Sequence, residues 1–280
     1  MVKLCLGTAN VGSKYGINKT ILTRNKFSKI LKVANNNNII NVDTSFEYKN
    51  SHTQIKKTLN NKVKLNTKIF LKKKFNFLSI KKKILYFNKN SPAKVHSLLL
   101  HEQNDALVIK KVELIKKIKA EGIVSKIGVS VYDLSVLKKI LKLWTPDIIQ
   151  IPVNPFNLEF ISNKFLQKIK KNNITIFARS IFLQGILTNK THILTIKNKK
   201  NLEDWFKFCE LKSIDPVKAC LDFCKSIKEI DYLVIGVQNL KELKQIVKFF
   251  KQSIKLNSNL IIKRKYKKID LRKINNGKKN

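Results

Sequence analysis

The stretch Ile127-Gly128-Val129-Ser130-Val131-Tyr132-Asp133-Leu134-Ser135-Val136-Leu137-Lys138-Lys139-Ile140-Leu141 carries the pattern that decides the fold. Residues 127–131 form a short run rich in branched apolar side chains, which suits a strand covered on both faces. Tyr132 and Asp133 interrupt the run. Asp133 then reads as a helix N-cap. Leu134, Leu137, Ile140 and Leu141 follow at spacings of three and four, which places them on one helical face.

The same unit, a strand followed by an amphipathic helix, recurs outward in both directions. Strand-type runs are expected at 4–7, 39–43, 63–69, 95–101, 127–131, 148–151, 174–179 and 232–237. A helix is expected from Asn239, with Leu240, Leu243, Ile246, Val247 and Phe250 on one face. Gly122 follows Lys-Ala-Glu, where a left-handed helix C-cap belongs. Alternation of strands and helices implies a parallel sheet with right-handed crossovers. Eight such units over roughly 250 residues match a (β/α)8 TIM barrel. An open doubly wound sheet is the alternative, but no Gly-x-Gly-x-x-Gly follows the first strand, and Gly7, Gly12 and Gly16 have the wrong spacing. With only 8 Gly and 5 Pro in 280 residues, no linker divides the chain. One domain is therefore expected over 1–254, followed by a basic tail over 255–280. Residues 263–280 hold nine Lys or Arg and one acid, Asp270. This is the composition of a solvated tail, with a polyanion-binding arm or a flap over the barrel mouth as alternatives.

The net charge of +40 invites a nucleic-acid reading, but only Arg24, Arg179, Arg264 and Arg272 among the 58 basic residues are arginine. Bidentate phosphate and guanine contacts favour Arg. Here the excess is Lys, accompanied by Asn and Ile, as compositional drift in an AT-rich genome would produce. No nucleic-acid motif accompanies it, and aromatics are not interleaved with the basic runs. The four cysteines, Cys5, Cys209, Cys220 and Cys224, and the four histidines show no zinc spacing. The opening residues are too short in apolar run for a secretion signal, and no segment reaches the length of a membrane helix. A cytoplasmic protein with free thiols is expected.

Chemistry in a barrel gathers at the carboxyl ends of the strands. The second run ends at Asp43, the third near Lys68 and the fourth at His101. Tyr48 follows the acid by five residues. Alternation of faces turns these groups inward. Asp43 shares a face with Asn41, Lys68 with Asn66 and His101 with Ser97, while Val42, Leu65, Leu98 and Leu100 face the other way. An inward acid and an inward lysine must pair, because an unpaired buried charge is too costly. Each residue alone has a bland explanation as a cap, a core histidine or a surface lysine. Their appearance at three successive strand ends is hard to explain that way.

Asp43-Thr44-x-x-x-Tyr48, Thr67-Lys68 and Leu100-His101 resemble the Asp, Tyr, Lys and His tetrad of the aldo-keto reductase family. The resemblance runs from about residue 3 to 250. It takes in Leu6-Gly7-Thr8 at the first strand, 126–130 at the fifth, Gln150 with Asn154 at the sixth, 182–187 after the seventh, and 236–243 in the cofactor-phosphate segment. It implies a TIM-barrel oxidoreductase that transfers a hydride between a nicotinamide cofactor and a small-molecule carbonyl. It also implies that Tyr48 donates the proton, that Lys68 lowers the phenol's pKa, that Asp43 holds Lys68, and that His101 orients the carbonyl. Gly7, Thr8, Ser130, Gln150, Arg179, Gly236 and Gln238 are the implied cofactor contacts. Three departures bear on the cofactor. Val131 stands where many members have Asn. Arg179 stands where many stack a Tyr on the nicotinamide. Gln238 lies near where NADP-preferring members place a cation for the 2′-phosphate, leaving Lys241 and Lys244 as substitutes. The reading leans to NADP, with NAD as the alternative. A barrel that binds cofactor without catalysis, as a sensor or subunit, is the competing function. Nothing in the sequence bears on oligomeric state.

Overall fold

All eight apolar runs become strands, because each buries side chains on both faces. The computed structural model describes residues 1–17, 19–48, 50–71, 76–161, 164–191, 199–256, 258–264 and 266–269. The strands are β1 (Lys3–Gly7), β2 (Asn41–Asp43), β3 (Lys64–Ile69), β4 (Val95–Leu100), β5 (Lys126–Ser130), β6 (Ile148–Pro152), β7 (Thr175–Arg179) and β8 (Tyr232–Ile235). They pair in chain order, all parallel, and β8 returns to β1 to close the barrel. The helices among the described residues are α1 (Arg24–Asn36), α2 (Ser51–Ile55), α3 (Phe77–Lys89), α4 (Ile109–Ala120), α5 (Leu134–Leu143), α6 (Phe165–Lys170), α7 (Lys199–Leu211), α8 (Pro216–Lys225), α9 (Leu240–Lys251) and α10 (Ser258–Ile262). The architecture is the (β/α)8 barrel, not the open sheet.

Two local expectations hold. Asn239 caps α9 through its side chain. Gly122, with φ of +69°, turns the chain just beyond α4. A third is corrected. Asp133 occupies the N-cap position of α5 but makes no side-chain cap. Its carboxylate accepts from Gln103 Nε2 at 2.6 Å, and Glu159 Oε1 takes the Leu134 N–H instead, at 2.8 Å. A tertiary partner has replaced a local one.

The outward faces of the strands, with Leu6, Val42, Leu65, Leu98, Leu100, Val129, Ile149, Ile151 and Ile176, merge with the helices into one core. Each such side chain contributes about 1.5–3 kcal/mol on burial. The barrel interior is a smaller, separate cluster of Cys5, Leu99, Ile148 and Phe177, with Tyr232 and Val234 against it. Beside it runs a buried polar chain: Ser97 Oγ donates to Asn66 Oδ1 at 2.8 Å, and Asn66 Nδ2 donates to Asn41 Oδ1 at 3.2 Å. Only glycine fits at 128, where a Cβ would lie 2.1 Å from the Ile148 carbonyl oxygen.

Packing continues past residue 254. Leu256, Ile261, Tyr266 and Ile269 are buried, and Tyr266 stacks on Phe156 with ring centroids 4.7 Å apart. This corrects the solvated-tail reading for the described part of that segment. The basic count hid four apolar residues that find the outer core. Residues 270–280, which include Asp270, and His192 lie outside the described residues.

Candidate active site

The carboxyl ends of β2 and β3 are neighbours in register, which brings Asp43 and Lys68 together. Lys68 Nζ donates to Asp43 Oδ1 at 2.6 Å and Oδ2 at 2.7 Å, and both residues are buried. Gln150, in the middle of β6, reaches across and donates to Asp43 Oδ1 at 2.8 Å. The acid is thus held by a cation and an amide, as its burial demands. β4 stops at Leu100, one residue short of expectation, so His101 begins the following loop. The backbone N–H of His101 still donates to Ile69 O at 2.8 Å, which carries the ring to the same rim.

Tyr48 reaches that rim from the loop after β2. The turn around it is tied by Tyr48 N–H to Ser45 O at 3.1 Å and Ser51 N–H to Tyr48 O at 2.7 Å. The Tyr48 ring meets the His101 ring edge-on, with centroids 5.8 Å apart, and Lys68 Nζ lies 5.4 Å from the Tyr48 ring centroid. Ser45 Oγ lies 3.0 Å from His101 Nδ1 and fixes the ring's orientation, leaving Nε2 as the other hydrogen-bonding atom.

Burial pushes the Tyr48 phenol well above its ordinary value, and the Asp43 carboxylate adds to this, while Arg179 pulls it down. The sequence reading assigned the lowering to Lys68. That ammonium is paired with the Asp43 carboxylate, and Arg179 is a second cation beside the phenol. His101 is depressed to about 3, first by burial and then by Lys68 and Arg179, so its imidazole is neutral at ordinary pH.

Asp43, Tyr48, Lys68 and His101 all line one cleft of about 500 Å³ at the carboxyl end of the barrel. Gly7, Thr8, Ser130, Gln150, Arg179, Gly236 and Gln238 line it too. Four of these side chains are engaged in ways the sequence did not foretell. Gln150 holds Asp43. Thr8 Oγ1 donates to Asp43 O at 3.1 Å. Arg179 places its guanidinium carbon 3.9 Å from the Tyr132 ring centroid and donates to Val131 O at 3.2 Å. Gln238 accepts from Thr20 Oγ1 at 3.2 Å. The cleft runs on to the N-terminal ends of α8 and α9, where Asp215, Pro216, Val217, Glu242, Gln245 and Ile246 line it.

The sequence model of the Aldo/keto reductase family matches residues 3–266. The chain belongs to the aldo/keto reductase family. Solved structures agree on the fold. An aldo-keto reductase from Bacillus halodurans in its holo form superposes with a TM-score of 0.76 at 15% identity, over 95% of this chain and 92% of that one. A glycerol dehydrogenase from Gluconobacter oxydans superposes with a TM-score of 0.68 at 16% identity, over 95% and 93%. No curated protein sequence matches the chain significantly. Membership makes the chain an oxidoreductase fold of carbonyl chemistry. No described helix is long and apolar enough to cross a membrane.

Several residues in and beside the cleft of this aldo-keto reductase were not singled out as site residues in the sequence. Ser45 was visible only as part of the Asp43 segment, and its bond to His101 needed the fold. Tyr15, Tyr132 and Phe182 line the cleft from three different loops. Asp215 and Glu242 sit at helix starts, where an acid reads as a cap. The loop after β7 is backbone-strained: Ser180, Leu183 and Gln184 have φ of 58°, 49° and 57° without being glycine. Strain of this kind gathers beside sites.

Proposed function

We propose that this aldo-keto reductase reduces an aldehyde or ketone with a nicotinamide dinucleotide and uses Tyr48 as the proton donor. The observation that carries the proposal is the convergence of Tyr48, His101 and the Lys68–Asp43 pair on one wall of a single cleft. The cleft fits such a cofactor. It extends from Tyr48, Lys68 and His101 to the starts of α8 and α9, and the backbone at Gly236 leaves open space where a Cβ would stand. Gly7, Thr8, Ser130, Gln150, Arg179 and Gln238 would hold the cofactor. When bound, it supplies the hydride to the carbonyl carbon.

The chain's own residues handle the oxygen. The neutral His101 ring donates a hydrogen bond to the carbonyl and orients it. The Tyr48 phenol, kept protonated by burial, gives its proton to that oxygen as negative charge develops there. Lys68 and Arg179 favour the phenolate left behind, and solvent reprotonates it. Asp43 holds Lys68 charged and in place, and Gln150 holds Asp43. The product is an alcohol.

The test is purified protein with reduced cofactor and a panel of aldehydes and ketones, read as loss of the reduced cofactor's absorbance. Turnover with at least one carbonyl is expected. Tight cofactor binding with no oxidation by any member of the panel would point instead to the non-catalytic barrel.

A further inference from the structure

We infer that the end of the cleft remote from Tyr48 selects NAD(H) over NADP(H) through Glu242 and Asp215, an assignment that rests on the nicotinamide-cofactor reading of the cleft. A dinucleotide whose nicotinamide faces Tyr48 and His101 must put its adenosine at the other end, among the starts of α8 and α9. Among the described residues lining the cleft, the lysines and arginines are Lys68 and Arg179, both at the catalytic end. The remote end presents Glu242, Asp215, Gln238 and Gln245.

Both helix starts there already hold a carboxylate of the chain. Glu242 Oε2 accepts the Gln238 N–H at 2.8 Å, and Oε1 accepts from Asn239 Nδ2 at 3.3 Å. Asn239 Oδ1 in turn accepts the Glu242 N–H at 2.9 Å. Asp215 Oδ1 accepts the Val217 N–H at 2.8 Å, and Oδ2 accepts from Gln245 Nε2 at 3.2 Å, which links α8 to α9. The positive helix ends that would attract a phosphate are therefore occupied by internal anions. A 2′-phosphate, carrying up to two negative charges, would enter beside two carboxylates, with no lysine or arginine among the described residues that line this end of the cleft. A ribose with free hydroxyls would meet two acceptors for its donors, the arrangement by which a carboxylate recognises an unphosphorylated ribose. Lys241 and Lys244, expected from the sequence to take the 2′-phosphate, are exposed and do not line the cleft. The overall charge of +40 draws either cofactor, but at about 0.15 M salt exposed charges beyond about 8 Å are screened and the local carboxylates decide.

The experiment is calorimetric titration of the full chain with NADH and with NADPH at about 0.15 M salt, alongside kcat/KM with each. NADH is expected to bind at least about tenfold tighter, a difference that one mispaired charge supplies. Glu242→Gln keeps a side chain that can accept the Gln238 N–H but removes the charge. It and Asp215→Asn are each expected to raise NADPH affinity several-fold while leaving or lowering that for NADH. Glu242→Lys is expected to go further, and Glu242→Gln covers the case in which Lys disturbs the cap. Tighter NADPH binding by the wild-type chain would overturn the inference and leave the reductase reading standing. An NADH preference unchanged in both charge-neutral variants would overturn the assignment to these two residues. Binding of neither cofactor would sink the reductase reading itself.

Discussion

Lys68–Asp43 in the barrel mouth and Lys218–Asp222 in the outer helix layer are both buried lysine–aspartate pairs, with Nζ–O separations of 2.6 and 2.8 Å. They differ in what surrounds them. Lys218 also donates to Ser253 O at 2.9 Å, and Asp222 Oδ2 accepts the N–H groups of Lys255 and Leu256 at 2.8 and 3.3 Å. That pair fastens the chain after α9 onto α8 through Ser253, Lys255 and Leu256. The Lys68–Asp43 pair faces the cleft, with Gln150 behind it and the Tyr48 ring beside it. Burying a charge pair is therefore no mark of a site by itself. A pair that opens onto a cavity beside other polar groups is one.

The sharpest way to break this comparison is to remove each lysine in turn. Lys68→Met should lower kcat/KM by about 10²-fold or more, the scale of a lost acid–base contribution. Lys218→Met should leave kcat per folded molecule unchanged. Both should lose about 3–5 kcal/mol of stability in urea melts, because each strands a buried carboxylate. Equal effects of the two on turnover would contradict the distinction.

A smaller effect separates the pairs further. Replacing an ion pair by apolar residues of similar volume is often close to neutral. Lys218→Met combined with Asp222→Leu should regain only part of the single variant's loss. It leaves the Lys255 and Leu256 N–H groups without their acceptor, at about 1–3 kcal/mol for an unsatisfied buried group. Full recovery in the melt would show that the clamp on the C-terminal segment carries no weight.

The smallest effect is in acid. His101 and His52 are both depressed from the usual 6.5 to about 3, by burial first and by nearby lysines and, for His101, Arg179. Their folded values lie below the unfolded ones, so the unfolded chain binds more protons as pH falls. The stability they contribute is complete above about 6.5 and declines toward about 3. His101→Asn and His52→Asn should each shallow the fall in stability over that window, and should leave the slope above it unchanged. An unaltered acid limb in both variants would contradict the burial argument.

Much of the barrel was legible in the chain. Apolar runs, a helical period between them and Gly122 at a C-cap are local signals, and they fixed eight strands within about two residues at most ends. The strand-end groups were legible because alternation of faces puts Asp43 and Lys68 inward wherever the strands pair in order. Lys218 was not legible, because one lysine among 58 basic residues carries no signal until a partner is seen. Ser45 on His101, and Gln150 on Asp43 across a separation of 107 residues, depend on barrel closure, which no local pattern encodes. Glu242 and Asp215 were hidden for the opposite reason. An acid at a helix start has a sufficient local explanation, so the role toward a ligand proposed for these two leaves no trace in sequence. The burial of Tyr266 and Ile269 was masked by the lysines around them.

The central claim is that Tyr48 gives the proton. Tyr48→Phe removes the hydroxyl and keeps the ring against His101 and Lys68. The decisive measurement is its rate of reduced-cofactor oxidation against the best carbonyl of the panel, with cofactor affinity measured calorimetrically on the same preparation. The account predicts that turnover is lost by about 10²-fold or more while cofactor affinity is unchanged. An undiminished rate in Tyr48→Phe would contradict it.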